Sequence, residues 1–126
     1  MSATETREHP ATALLRLSEA GDFAAWRAIF TPEAVMWHNT DLAEKKIDDV
    51  VEALIPIRRK ATSWKYTVVE RVDVEDGFLL RFVLDAETGG KKVKLAACLS
   101  CRTRDGLISR LDEYFDSAAF AELAGA

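Results

Sequence analysis

The chain has 126 residues, 48% of them apolar and 30% charged, with a net charge of −4. That size and mix fit one soluble domain around a single core, and the acidic balance argues against a generic nucleic-acid binder, which would present a basic face. No apolar run approaches the ~18–20 residues of a membrane span, and the opening MSATETREHPAT lacks an apolar signal core. The expectation is a cytoplasmic protein with no membrane or nucleic-acid partner.

Residues 1–8 read as a flexible tail and residues 9–126 as the single domain. Pro10 suits the first position of a helix that runs to Ala20 and ends at Gly21. Asp22 then caps DFAAWRAIF, whose Phe23, Trp26, Ile29 and Phe30 share one side. Thr31-Pro32-Glu33 predicts a stop and turn, and AVMWHN (34–39) a short strand. Residues 40–46 read as a polar loop. IDDVVEALIPIRRKA (47–61) predicts a helix with Val50, Val51, Leu54 and Ile57 inward and a kink or end at Pro56.

From residue 64 the apolar period becomes two. Strands are expected over 64–74, 78–87, 92–104 and 107–115, with turns at Glu75-Asp76-Gly77, at Thr88-Gly89-Gly90-Lys91 and at Asp105-Gly106. A last helix follows, capped by Asp116 or Ser117. Helices gathered early and strands gathered late define an α+β domain, a curved antiparallel sheet wrapped around N-terminal helices.

Cys98 and Cys101 lie three apart on one strand and so point to opposite faces, which disfavours a disulfide or a shared metal and favours two small buried hydrophobes. His9 and His38 form no metal-ligand pattern; neither metal nor cofactor is expected. The last strand raises a different question. Leu107, Leu111 and Phe115 share a parity, and Glu113 shares it with them, so a carboxylate points toward the apolar interior.

Two stretches resemble a known superfamily. AGDFAAWRAIFTPEAVMWHN is similar to its A-G-D-x7-F-x-x-[DE]-A opening, and GLISRLDEYFDSAAFAEL to its closing G-x-I-x5-Y-x-D-x3-F. This is the nuclear transport factor 2-like superfamily, with its SnoaL-like polyketide cyclases, ketosteroid isomerases and limonene-epoxide hydrolases. The resemblance spans about residues 12–123 and implies a cone-shaped cystatin-like or SnoaL-like roll whose sheet encloses an apolar cavity. Polar residues facing such a cavity line a pocket rather than a core.

Site roles follow from the same resemblance, position by position. Against the ketosteroid isomerases, Leu14 stands where a tyrosine is used, His38 where the base aspartate is, and Leu99 or Ser100 at the late acid, so neither oxyanion donor is matched. Against the limonene-epoxide hydrolases, Trp37 replaces a tyrosine, Asn39 matches an asparagine, Asp85 a middle aspartate and Glu113 the second carboxylate. The arginine position holds Val83, with Arg81 nearby on the same parity. His38 and Asn39 alternate on a regular strand, so the two alignments compete.

The resemblance therefore implies a small-molecule enzyme doing cofactor-independent acid–base chemistry, of isomerase, epoxide hydrolase, dehydratase or cyclase type, on an apolar molecule. Glu113 and Asp85 would share the proton transfers, since two carboxylates in one apolar hollow split their pKa values. His38 or Asn39 would position substrate or water, and Trp37, Arg81, Trp26, Leu14, Leu54 and Leu99 would line the site. The competing reading is a non-catalytic ligand-binding or dimerisation module. The 78–87 strand leaves its facing open, because Phe78, Leu80, Phe82 and Leu84 alternate with Leu79 and Val83. If the odd set faces inward, the even aromatics form an exposed face suited to a homodimer through the sheet.

Overall fold

His9 and Gly21 bracket the first helix, α1 (Pro10–Ala20). The imidazole Nδ1 of His9 accepts the Ala11 N–H at 3.0 Å. Gly21 takes the left-handed φ of 71°, and the Asp22 N–H returns to the Leu17 carbonyl at 3.0 Å, a stop that a residue with a Cβ adopts only with strain. The computed structural model describes residues 8–125. The expected tail falls mostly outside them, and Glu8 is held by a two-pronged pair with Arg16.

Helix α2 (Phe23–Ala28) is capped by Asp22, whose carboxylate accepts the Ala25 N–H at 3.1 Å, and it buries Phe23 and Trp26. Strand β1 (Phe30–His38) begins earlier than the stop signal at Thr31-Pro32 predicts. Its register breaks between Phe30 and Val35, and such an irregularity admits a proline. The expected polar loop holds β2 (Ala43–Lys46), an antiparallel edge partner of β1. Helix α3 (Ile47–Lys60) passes through Pro56 rather than ending there.

The rest is β3 (Ala61–Val74), β4 (Gly77–Thr88), β5 (Lys91–Arg104), β6 (Leu107–Phe115) and α4 (Ser117–Gly125). The Gly89-Gly90 and Asp105-Gly106 turns have positive φ at both central residues, which matches the right-handed twist of the strands they join. The sheet has the order β2-β1-β6-β5-β4-β3. It is mixed, because β1 and β6 run parallel while every other pair is antiparallel.

The core lies between the concave face of this sheet and the helices. On β4 the even residues Phe78, Leu80, Phe82, Leu84 and Ala86 are buried, and on β5 the odd residues from Val93 to Cys101. Each large side chain so enclosed contributes ~1.5–3 kcal/mol relative to exposure. The even aromatics are therefore core, and the exposed apolar face that the opposite parity would create is not formed by them. Cys101 is buried but Cys98 is exposed, so only one of the two cysteines is the small interior hydrophobe expected of both.

On β6 the register shifts where Arg110 pairs with Arg102 and Ile108 with Thr103. This bulge exchanges the parity at the start of the strand. Leu107 faces solvent and Ile108 is fully buried, while Leu111 and Phe115 keep the inward face.

Candidate active site

The concave face and helices α1 and α3 enclose a cavity of about 290 Å³ with mainly apolar walls. Its size lies at the lower edge of the ~300–1,000 Å³ usual for small-molecule sites. Among the walls are Leu14, Trp26, Leu54 and Leu99, all expected there.

Two ionisable groups enter this space side by side. His38 closes β1, Glu113 lies near the end of β6, and the parallel register pairs these two residues directly. Parallel neighbours in register stand ~4.8 Å apart with side chains on the same face. The His38 Nε2 lies 3.5 Å from Glu113 Oε1, and the side chains are only 17% and 20% exposed. Phe115 presents its ring edge-on to the imidazole at 5.5 Å. Near the mouth, Asp41 is held below the usual carboxylate range chiefly by its hydrogen bond from Lys45, helped by the Ala43 N–H.

A second polar group stands on β3, at the opposite edge of the sheet. Tyr66 and Ser18 share a hydroxyl–hydroxyl bond of 2.9 Å, and both line the cavity. Desolvation pushes the Tyr66 phenol up to about 12, Ser18 opposes that rise, and the charge of Glu113 adds to it. Carboxylate and phenol therefore feel one another across the hollow. Trp64, also a wall residue, is 7% exposed. Its indole N–H weakly favours the Tyr66 anion, yet it meets hydrogen-bond geometry with no acceptor.

Four expected site residues lie elsewhere. Asp85 sits on the odd, convex face of β4, with Lys94 Nζ at 3.0 Å from its Oδ1. Arg81 shares that face and holds Glu70 at 3.1 Å. Both follow from the even residues of β4 taking the core, so the two-carboxylate arrangement with a bridging arginine does not form. Trp37 packs outward on Tyr114, with ring centroids 5.2 Å apart. Asn39 lies just past β1, where its amide donates to the Phe115 carbonyl at 3.2 Å and accepts the Phe115 N–H at 3.0 Å. Its polar atoms join strand ends and do not address the cavity.

Ser18 and Tyr66 escaped the sequence reading as site residues. Their signal was present: Ser18 lies one turn after Leu14, and Trp64 and Tyr66 share one parity of β3. Among the described residues, no three His, Cys, Asp or Glu side chains gather as a metal set.

The α+β cone defines a fold class, and comparison with known proteins agrees on that fold. A model of the SnoaL-like domain matches residues 11–111. The chain belongs to the SnoaL-like domain family. Similar solved structures include PrhC from Penicillium brasilianum, with a TM-score of 0.81 at 16% identity over 90% of this chain and 82% of that one. IdmH, a proposed polyketide cyclase from Streptomyces antibioticus, gives 0.77 at 16% identity over 93% and 96%. An LEH-like epoxide hydrolase from M. tuberculosis gives 0.73 at 16% over 91% and 86%. At such identities the likeness concerns the fold. No curated protein matches the chain.

Proposed function

We propose that this protein is a small-molecule enzyme performing cofactor-independent proton transfer on an apolar substrate, with His38 and Glu113 as the working pair. The observation that carries this reading is their direct register on parallel strands inside an apolar cavity. The chemistry it suits best is removal of a proton from carbon beside a carbonyl. Glu113 takes the proton, the C–H electron pair forms a C=C bond, and the carbonyl π pair moves onto oxygen to give an enolate. Return of the proton from Glu113 to another carbon is an isomerisation. Attack of the enolate carbon on a second carbonyl is a cyclisation. His38 orients the carboxylate, its Nε2 lying 3.5 Å from Glu113 Oε1. Epoxide hydrolysis of the kind the resemblance implies is the weaker reading, because Asp85 and Arg81 lie outside the cavity.

The test is exchange of α-protons of small cyclic ketones in D2O, followed by proton NMR. The wild type should accelerate exchange, and Glu113→Gln should lose ~10²–10⁴ of that rate. Equal rates with both proteins across the ketones would refute the assignment.

A second reading has its own observation. Val72, Val74, Leu79 and Tyr114 are exposed, and an apolar surface of this kind favours a second copy of the chain. We propose a homodimer through the sheet, and sedimentation across a concentration series tests it. A monomer at every concentration would exclude it.

A further inference from the structure

We propose that helix α4 is the wall of the cavity that selects ligands by size, with Phe120 as the residue that holds the limit at a bicyclic skeleton. The inference rests on the acid–base reading for the kind of substrate and adds its size and the element that sets it.

The walls differ in how firmly they are held. The inner end is core: Trp26, Met36, Leu99 and Leu111 line it and are at most 3% exposed. Close packing there leaves a ligand no space to push between them. Helix α3 presents Leu54 and Ile57 and is fastened at both ends. Arg58 donates to the Ser18 and Glu19 carbonyls of α1, and Asp48 pairs with Arg27 of α2 at 2.6 Å. Helix α4 contributes Phe120 and Leu123, three apart and so on one helical face. Among the described residues, no side-chain hydrogen bond or ion pair joins α4 to another element. Asp116 only starts the helix, its carboxylate accepting the Ala118 N–H at 3.0 Å.

The hold on α4 is therefore apolar. Leu123 is buried, and Phe120 is half-buried against Phe115, with ring centroids 5.1 Å apart. A short helix held this way is the wall that yields at least cost. It also follows β6 directly, so Glu113, Phe115 and Phe120 belong to one strand-to-helix segment. While α4 is seated, the wall keeps its place relative to the carboxylate, and it bounds a molecule bound there. At the ~0.74 packing density of protein interiors, a cavity of about 290 Å³ holds roughly 200 Å³ of ligand. A bicyclic ketone fits with room to orient. A tricyclic one requires the wall to give, and truncating Phe120 supplies the missing space.

The experiment compares, by calorimetry, 1-tetralone with a dihydrophenanthrenone, the same ketone ring carrying a further fused benzene ring. The wild type should favour the bicyclic ketone by roughly 10-fold or more, the scale on which a pocket rejects a group it has no space for. Phe120→Ala should erase that preference by tightening the tricyclic ketone without a comparable gain for 1-tetralone. If that variant fails to fold, Phe120→Leu should narrow the preference in the same direction. Amide hydrogen exchange separates a ligand wall from a merely structural helix: 1-tetralone should slow exchange along α4 in the wild type. The proposal is overturned if the wild type binds both ketones equally or neither, if the preference survives in the Phe120 variants, or if 1-tetralone leaves α4 exchange unchanged. A size preference that depends on Phe120, in a protein that does not accelerate α-proton exchange, would remove the acid–base reading and leave the wall supported.

Discussion

Glu113 and Asp85 lie on β6 and β4, one strand apart across β5, and differ chiefly in the face of the sheet each occupies. On the convex face Asp85 meets Lys94 in water, an exposed pair worth ~0–1 kcal/mol. On the concave face Glu113 lies among leucines and aromatics, where its charge is expensive unless a partner and a task accompany it. His38 is that partner. A carboxylate in a strand thus becomes chemistry or decoration according to the parity of its neighbours, and β5 between them enforces the difference with buried odd residues and exposed even ones.

The comparison breaks most visibly in turnover. Glu113→Gln should cost ~10²–10⁴ in α-proton exchange, whereas Asp85→Asn should stay within about twofold, as surface changes generally do. Parallel exchange assays measure both. Stability should divide along the same boundary. Phe78→Ala removes a fully buried ring and should cost ~3–5 kcal/mol in denaturant unfolding. Leu79→Ala, the next residue on the opposite face, should cost less than ~1 kcal/mol.

Asn39 sharpens the comparison from the strand end. Asn39→Ala deletes both hydrogen bonds to the Phe115 backbone and should cost ~1–3 kcal/mol in the same unfolding measurement. It should also disturb His38 and Glu113, which the β1–β6 junction holds in register, so proton exchange should fall with it. The smallest effect is alkaline. The Tyr66 phenol is pushed up to about 12 in the fold, chiefly by desolvation, against ~10 in an unfolded chain. Between those values the unfolded chain releases this proton and the native protein keeps it, so the native state loses relative stability as pH rises through that window. Tyr66→Phe should flatten that part of the stability–pH profile.

Several of these contrasts were legible in the amino-acid order. Pro10 and Gly21 mark the ends of α1, Asp105-Gly106 marks the last hairpin, and the parity of Leu111, Glu113 and Phe115 puts the carboxylate inside. The facing of β4 was not legible, because Phe78, Leu80 and Phe82 compete with Leu79 and Val83, and only packing against α1 and the neighbouring strands chooses between them. Asp85 therefore matched a spacing and fell on the wrong face. Strand β2 has no apolar pattern in AEKK and exists because the β1 edge supplies a backbone partner. The Ser109 bulge moves Leu107 outward without altering the inward setting of Glu113, a local register change that alternation alone does not reveal. Trp64 and Tyr66 read as strand aromatics, and their polar atoms gain meaning only once α1 brings Ser18 beside them.

The claim that His38 and Glu113 act as one unit is tested most directly by a double-mutant cycle on α-proton exchange, with His38→Gln, Glu113→Gln and the pair combined. A positioning residue acts through its partner, so the combined variant should be no slower than Glu113→Gln alone. Losses that multiply would show the two side chains working independently and would contradict the account.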